Sequence, residues 1–161
     1  MLFWTECCVL DDLKLRLVAS ISGIRGVYFL PATPVEGEKS ESNEFLLSAG
    51  RQLREYFAGR RREFQLPLDV QGTDFQLDVW RQLQKIPYGE TRSYAQIADA
   101  IGRPKAVRAV GAANGSNPVS IVVPCHRVIG SSGKLTGYGG GLPLKKQLLE
   151  LEGAWTMDLA L

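Results

Sequence analysis

The sequence predicts an α+β protein: a small N-terminal antiparallel β-sheet with a helix, followed by a mainly helical region. Three observations predict it. Between Leu2 and Leu30, short runs separated by turn residues read as strands, with polar and apolar residues alternating from Lys14 to Val18 as in a half-buried strand. After Asn43, Thr73 and Ser93, apolar residues recur at helical spacing, each run behind a residue able to cap it. Near Gly102-Arg103-Pro104 the chain breaks between two short helical patterns, which is a helix-turn-helix signature.

The elements follow in order. Leu2 to Val9 is an apolar strand, and Asp11-Asp12 supplies a turn. Lys14-Leu15-Arg16-Leu17-Val18 alternates, and Ile24 to Leu30 makes a third strand after Ser22-Gly23. Pro31 to Ser42 is polar and reads as a loop. Asn43 caps a helix carrying Phe45, Leu46, Leu53, Tyr56 and Phe57, which ends at Gly59. Arg60 to Gly72 reads as a connector with an extended piece from Phe64 to Val70. Thr73-Asp74-Phe75-Gln76 fits a capping box, and Phe75, Val79, Trp80 and Leu83 face the core of a helix stopping before Pro87. Ser93 caps Tyr94 to Ile101, with Ala95, Ile97, Ala98 and Ile101 facing inward. Lys105 to Ala113 is the next helix, and Asn114 to Pro118 a tight loop. Ile121 to Val123 reads as a buried extended segment leading to Cys125. A Gly-rich loop and a last helix, Leu144 to Glu152, stopped by Gly153, complete the chain. The expected domains are 1–70 and 71–161.

Length and composition set bounds. The 161 residues suit one domain or two small ones, and 45% hydrophobic content supports a real core. A net charge of +2 does not by itself mark a nucleic-acid binder, although Lys and Arg fall in local groups such as Arg60 to Arg62 and Lys145-Lys146, read as solvated faces. No apolar run approaches the roughly 18 residues that would span a bilayer, so no membrane partner is expected. Three cysteines, two of them vicinal, make no disulfide framework. Cys7 and Cys8 are expected as buried core thiols, and the cytoplasm as the compartment. A zinc site would need all three cysteines together with His126, and adjacent Cys7-Cys8 fit tetrahedral geometry poorly, so no metal is expected.

The densest chemistry lies at Pro124-Cys125-His126-Arg127-Val128, where the chain's one histidine stands beside a cysteine. A thiolate is a strong nucleophile, and a neighbouring imidazole and cations lower a thiol's pKa from about 8.5 toward neutrality. In an extended segment adjacent side chains diverge, so His126 would reach the thiol through a bridging water. A carboxylate would orient the imidazole, and both Glu150 and Glu152 could do so. The second helix of the helix-turn-helix is rich in Ala and Gly around Arg108. Such a surface suits close packing on another helix, or entry into a DNA groove with Arg108 and Lys105 meeting phosphates or filling a base stack.

At these residues the chain resembles the O6-alkylguanine-DNA alkyltransferases, also called methylated-DNA–protein-cysteine methyltransferases. The likeness extends through Tyr88-Gly89-Glu90-Thr91-Arg92-Ser93-Tyr94, Ala106 to Gly111, Asn117-Pro118, Gly137-Tyr138-Gly139-Gly140 and Leu151-Glu152-Gly153, in order. It covers residues 73–153, while the N-terminal part matches only in general character, as an RNase H-like domain. The resemblance implies a single-turnover repair protein without a cofactor, which removes the alkyl group from O6-alkylguanine in double-stranded DNA after flipping the base from the minor groove. O4-alkylthymine is a further substrate it leaves open. Cys125 would accept the alkyl group, His126 take the thiol proton through water, Glu152 orient His126, Asn117 tie down the active-site segment, and Tyr94 protonate the departing guanine. Arg108 would replace the flipped base, with Tyr94, Lys105, Ala106, Ala109, Ser93 and Arg127 also at the DNA. Tyr138, Gly137, Gly139 and Val128 would form the substrate pocket. A monomer is expected, with clustering on DNA left open.

Two departures stand out. Gly139 occupies a position where some members carry a hydroxyl, which implies tolerance for larger alkyl groups. Cys8 to Asp12 lacks the family's Pro-Leu-Gly turn. Other readings are a lesion sensor on the same scaffold, which would lack the reactive cysteine, a cysteine hydrolase, and a helix-turn-helix regulator, which would not need Cys125.

Overall fold

A computed structural model describes residues 1–155, so residues 156–161 at the end of the expected second domain lie outside the described residues. The chain forms two compact units. One is Met1–Gln71 with Pro118–Val122, and the other is Gly72–Asn117 with the chain from Val123 onward.

In the first unit, β1 (Phe3–Leu10), β2 (Leu13–Ala19) and β3 (Ile24–Phe29) form an antiparallel meander. Asp11-Asp12 makes the first turn, closed by the Leu10–Leu13 pair, with a register shift between Cys8 and Leu10. Cys7 pairs with Leu15 and turns inward with it. Cys8 is exposed, because successive side chains of a strand face opposite ways, and the expectation of two core thiols is corrected to one. The polar loop holds a short strand that its composition does not signal: β4 (Glu38–Lys39) pairs parallel to β1, giving the order β3-β2-β1-β4. Helix α1 (Glu44–Phe57) starts where Asn43 Oδ1 accepts from the Leu46 N–H, and packs Leu46, Ala49 and Leu53 into the core. A Cβ on Gly50 would lie 3.5 Å from Cys7 Sγ, so the helix approaches the sheet closely there. The connector does contain extended chain, since Leu68 bridges Ile24 in parallel.

The second unit opens with α2 (Asp74–Gln84), capped by a complete Thr73–Gln76 capping box. Trp80 anchors it, donating from Nε1 to the Ala113 carbonyl at 2.8 Å. A second capping box, Ser93 with Gln96, starts α3 (Tyr94–Ala100). Ile97 and Ala98 face inward, whereas Ala95 is exposed, contrary to the expected face. Helix α4 runs Val107–Gly115, beginning two residues later than expected and absorbing Asn114 and Gly115 from the expected loop. Lys105 sits in the preceding turn, and the helix starts after Ala106 without a side-chain cap. After the two-residue β5 (Arg92–Ser93) and β6 (Val128–Ile129), which pair in parallel, α5 (Leu142–Leu151) completes the unit. Gly153, at φ +72°, takes the left-handed conformation that ends a helix without a Cβ clash.

Ile121 departs from expectation. It is not extended but lies in a turn at φ +72°, a conformation that a β-branched residue resists. It is held by burial, with its side chain 1% exposed.

Candidate active site

Pro124 leads into a single 3-10 turn, Cys125–Arg127, closed by the Arg127 N–H on the Pro124 carbonyl at 3.0 Å. Cys125 is therefore in a tight turn and not an extended segment, so its neighbours fan around it instead of alternating. All three side chains of the turn are buried.

His126 is 0% exposed, and its Nε2 lies 2.9 Å from Glu152 Oε2. Glu152 is the C-cap of α5, which turns it inward, while Glu150 is exposed and pairs with Lys146. Of the two candidate carboxylates the fold selects Glu152. Arg127 holds the same carboxylate, with Nε on Oε1 at 2.8 Å and Nη2 on Oε2 at 2.9 Å. Its Nη1 donates to the Ile86 carbonyl at 2.7 Å, and its guanidinium lies over the Tyr88 ring. The expectation that Arg127 meets DNA is thereby corrected: its charge is directed inward, onto a buried acid.

The electrostatics follow from these bonds. Burial works to raise the Glu152 carboxyl, but the hydrogen bonds and charge from His126 and Arg127 overcome it and hold it at about 2. Arg127 is its permanent positive partner. Burial dominates at His126 and lowers its pKa, although Glu152 pulls the other way. The imidazole is thus neutral at physiological pH. An ionised carboxylate can only accept, so Nε2 carries the proton and Nδ1 carries the lone pair. Nδ1 is buried and has no hydrogen-bond partner among the described residues.

Burial also raises the Cys125 pKa above its usual 9.0, against the lowering expected from neighbouring cations. At 5% exposed, the thiol loses more by desolvation than its neighbours return. Those neighbours are the Asn117 side chain, the Lys145 charge and the backbone amides of Cys125 and His126. Asn117 Nδ2 donates to the Val123 carbonyl at 2.9 Å, and Asn114 Nδ2 reaches the Cys125 carbonyl at 3.4 Å. Lys145 is fully buried, with a pKa lowered by burial to about 8, and its Nζ donates to the Thr136 carbonyl at 2.9 Å.

Around this centre lie the other expected residues. Tyr138 meets His126 edge-on, ring centroids 6.5 Å apart. Gly137 and Gly139 are exposed, and Val128 is buried in β6. The Tyr94 hydroxyl is 2.6 Å from Thr136 Oγ1. Ser93 serves as the α3 cap. On α4, Val110, Ala113 and Asn114 face in, while Arg108, Ala109 and Ala112 are exposed beside Lys105, with Ala106 half-buried. These outward small residues do not serve internal helix packing.

Two family models match the chain. The DNA-binding domain of 6-O-methylguanine DNA methyltransferase covers residues 74–154, and its ribonuclease-like domain covers residues 14–70. The chain belongs to this family. A methylated-DNA–protein-cysteine methyltransferase of Mycobacterium bovis is 67% identical over 101 residues, 63% of this chain, and the match spans 61% of that relative's length. The crystal structure of Mycobacterium tuberculosis O6-methylguanine methyltransferase superposes with a TM-score of 0.86 at 47% identity, covering 99% of this chain and 98% of that one. The Mycobacterium tuberculosis OGT in complex with DNA does so at 0.84 and 48% identity, covering 95% and 92%. The small sheet unit and helical unit are this family's α+β architecture.

Within this methyltransferase scaffold, three residues near the centre escape a reading of the sequence. Lys145 reads as half of a solvated Lys-Lys pair, yet Leu148 and Leu149, three and four positions on, mark its face as the buried one. Asn114 sits one turn of α4 beyond Val110, on the same buried face. Thr136 carries no local signal at all. Among the described residues no helix is long and apolar enough to cross a membrane.

Proposed function

We propose that the chain repairs alkylated DNA by moving the alkyl group from guanine O6 onto Cys125, once per molecule. The observation that carries this reading is the buried relay Arg127–Glu152–His126 beside Cys125, with the His126 Nδ1 lone pair left as a base. Family membership and the DNA-bound Mycobacterium tuberculosis relative support DNA as the partner.

In this reading Nδ1 takes the thiol proton through one water, and Glu152 stabilises the imidazolium that forms. Arg127 keeps Glu152 ionised, so the proton stops at His126. The thiolate appears only as the reaction begins, where Asn117, Lys145 and the backbone amides favour it. Sulfur attacks the alkyl carbon, the carbon–O6 bond breaks, and Tyr94 supplies a proton to the departing guanine. The product is a thioether, which has no easy hydrolytic route back to the thiol.

Guanine O6 is inside the duplex, so the nucleotide must be extruded. The exposed Arg108, on a face of small residues, is suited to fill the gap in the stack. Lys105, Ser93, Ala106 and Ala109 border the same approach, and Tyr138 with Gly137 and Gly139 borders the base. A Cβ at Gly139 would meet nothing within 4 Å, which favours tolerance for alkyl groups larger than methyl.

Mass spectrometry after mixing the protein with a duplex containing one O6-methylguanine tests the proposal. A gain of one methyl group on the Cys125 peptide is expected, and none with Cys125→Ala. Tighter binding to the lesion without a mass gain would instead make the chain a lesion sensor.

A further inference from the structure

The Gly-rich loop between β6 and α5 is tied at both ends. At its start the Gly130 N–H donates to the Lys134 carbonyl, and the Gly133 N–H to the Gly130 carbonyl, both at 2.9 Å. At its end the Gly141 N–H donates to the Tyr138 carbonyl at 2.9 Å. Between these turns Thr136 makes two ties of its own. Its carbonyl accepts from Lys145 Nζ at 2.9 Å, and its hydroxyl lies 2.6 Å from the Tyr94 hydroxyl. Lys145 is fully buried, so the Thr136 backbone is gripped by a group that cannot swing into solvent. That grip anchors the backbone from which Oγ1 reaches the Tyr94 hydroxyl.

We infer that Thr136 is a positioning residue for alkyl transfer, donating its hydroxyl proton to the Tyr94 oxygen as Tyr94 protonates the departing guanine. The inference rests on the reading of Cys125 as alkyl acceptor and Tyr94 as proton source. A tyrosine hydroxyl, with an ordinary pKa of about 10, is a weak acid at neutral pH. A hydrogen bond to its ionised form favours ionisation. A threonine hydroxyl can either accept or donate, so the change of role needs only a turn of one O–H bond. No heavy atom has to move, which is what makes such a donor effective as charge develops.

The step balances as follows. The thiol proton leaves to His126, a sulfur lone pair forms the S–C bond, and the C–O6 pair passes to the base. Tyr94 gives a ring nitrogen of the base its proton and becomes a phenolate held by Thr136, until solvent water returns a proton. The imidazolium releases its proton to solvent. The net change is thiol plus O6-alkylguanine to thioether plus guanine.

A loop prop would matter whether or not residue 94 carries an oxygen, whereas a partner of the phenolate would not. The experiment is single-turnover methyl transfer from an O6-methylguanine duplex, with DNA affinity measured alongside. Variants are Thr136→Val, Thr136→Ser, Tyr94→Phe and the Val/Phe double variant. Thr136→Val is expected to slow transfer about tenfold or more with unchanged DNA affinity. Thr136→Ser should restore the rate, and Thr136→Val should add nothing to Tyr94→Phe. Full activity of Thr136→Val, or equal slowing in both backgrounds, would overturn the inference while leaving the alkyl-transfer reading intact. A wild-type chain that takes up no methyl group would overturn both.

Discussion

Arg127 clamps Glu152 along both edges of its carboxylate, Nε to Oε1 at 2.8 Å and Nη2 to Oε2 at 2.9 Å, in the interior of the helical unit. A fork-to-fork pair of this kind fixes orientation as well as charge. Glu152 then offers Oε2 to His126 in one direction only.

Breaking that clamp should be costly. Arg127→Met leaves a buried carboxylate without its permanent counter-charge, a change that typically destabilises by about 3–5 kcal/mol. Urea unfolding of the variant should show a midpoint lowered accordingly. A midpoint within error of wild type would show that the pair contributes little to folding.

Acid should unfold the protein partly through Glu152. Its folded pKa is about 2, against an ordinary 4.5, so between those values the unfolded chain binds more protons than the folded one. The stabilisation is fully present above 4.5 and is lost as pH falls toward about 2. Urea midpoints measured across that window should decline more steeply for wild type than for Glu152→Gln.

The free protein should hide its nucleophile. Because burial raises the Cys125 thiol above 9.0, carbamidomethylation of Cys125 by iodoacetamide, followed on its own peptide, should still be accelerating as pH passes that value. A plateau reached near neutrality would mean a preformed thiolate.

Arg108 should matter to DNA and not to the fold. It is exposed on α4, so Arg108→Ala should leave thermal stability within about 0.5 kcal/mol of wild type. Methyl transfer from duplex should slow, while the reaction of Cys125 with free iodoacetamide is unchanged. Equal transfer rates with and without Arg108 would remove it from the base-flipping step.

Much of this molecule is legible in one dimension. Asn43, Thr73 and Ser93 determine where their helices begin because each cap accepts from a backbone N–H only three residues on. The strand β2 follows from its alternation, and Cys125-His126 stand side by side in the chain itself. Tertiary structure decided the rest, since packing brings distant segments together and sets which face each residue shows. The phase of α5 turned Glu152 in and Glu150 out, and it buried Lys145 where a Lys-Lys pair reads as solvated. The 3-10 turn sent Arg127 to a buried carboxylate 25 residues away instead of to solvent. Thr136 and Tyr94 meet across 42 residues through a loop whose glycines carry no record of the partner. Packing around the 3-10 turn buried Cys125 and so raised the thiol that its charged neighbours would otherwise have lowered.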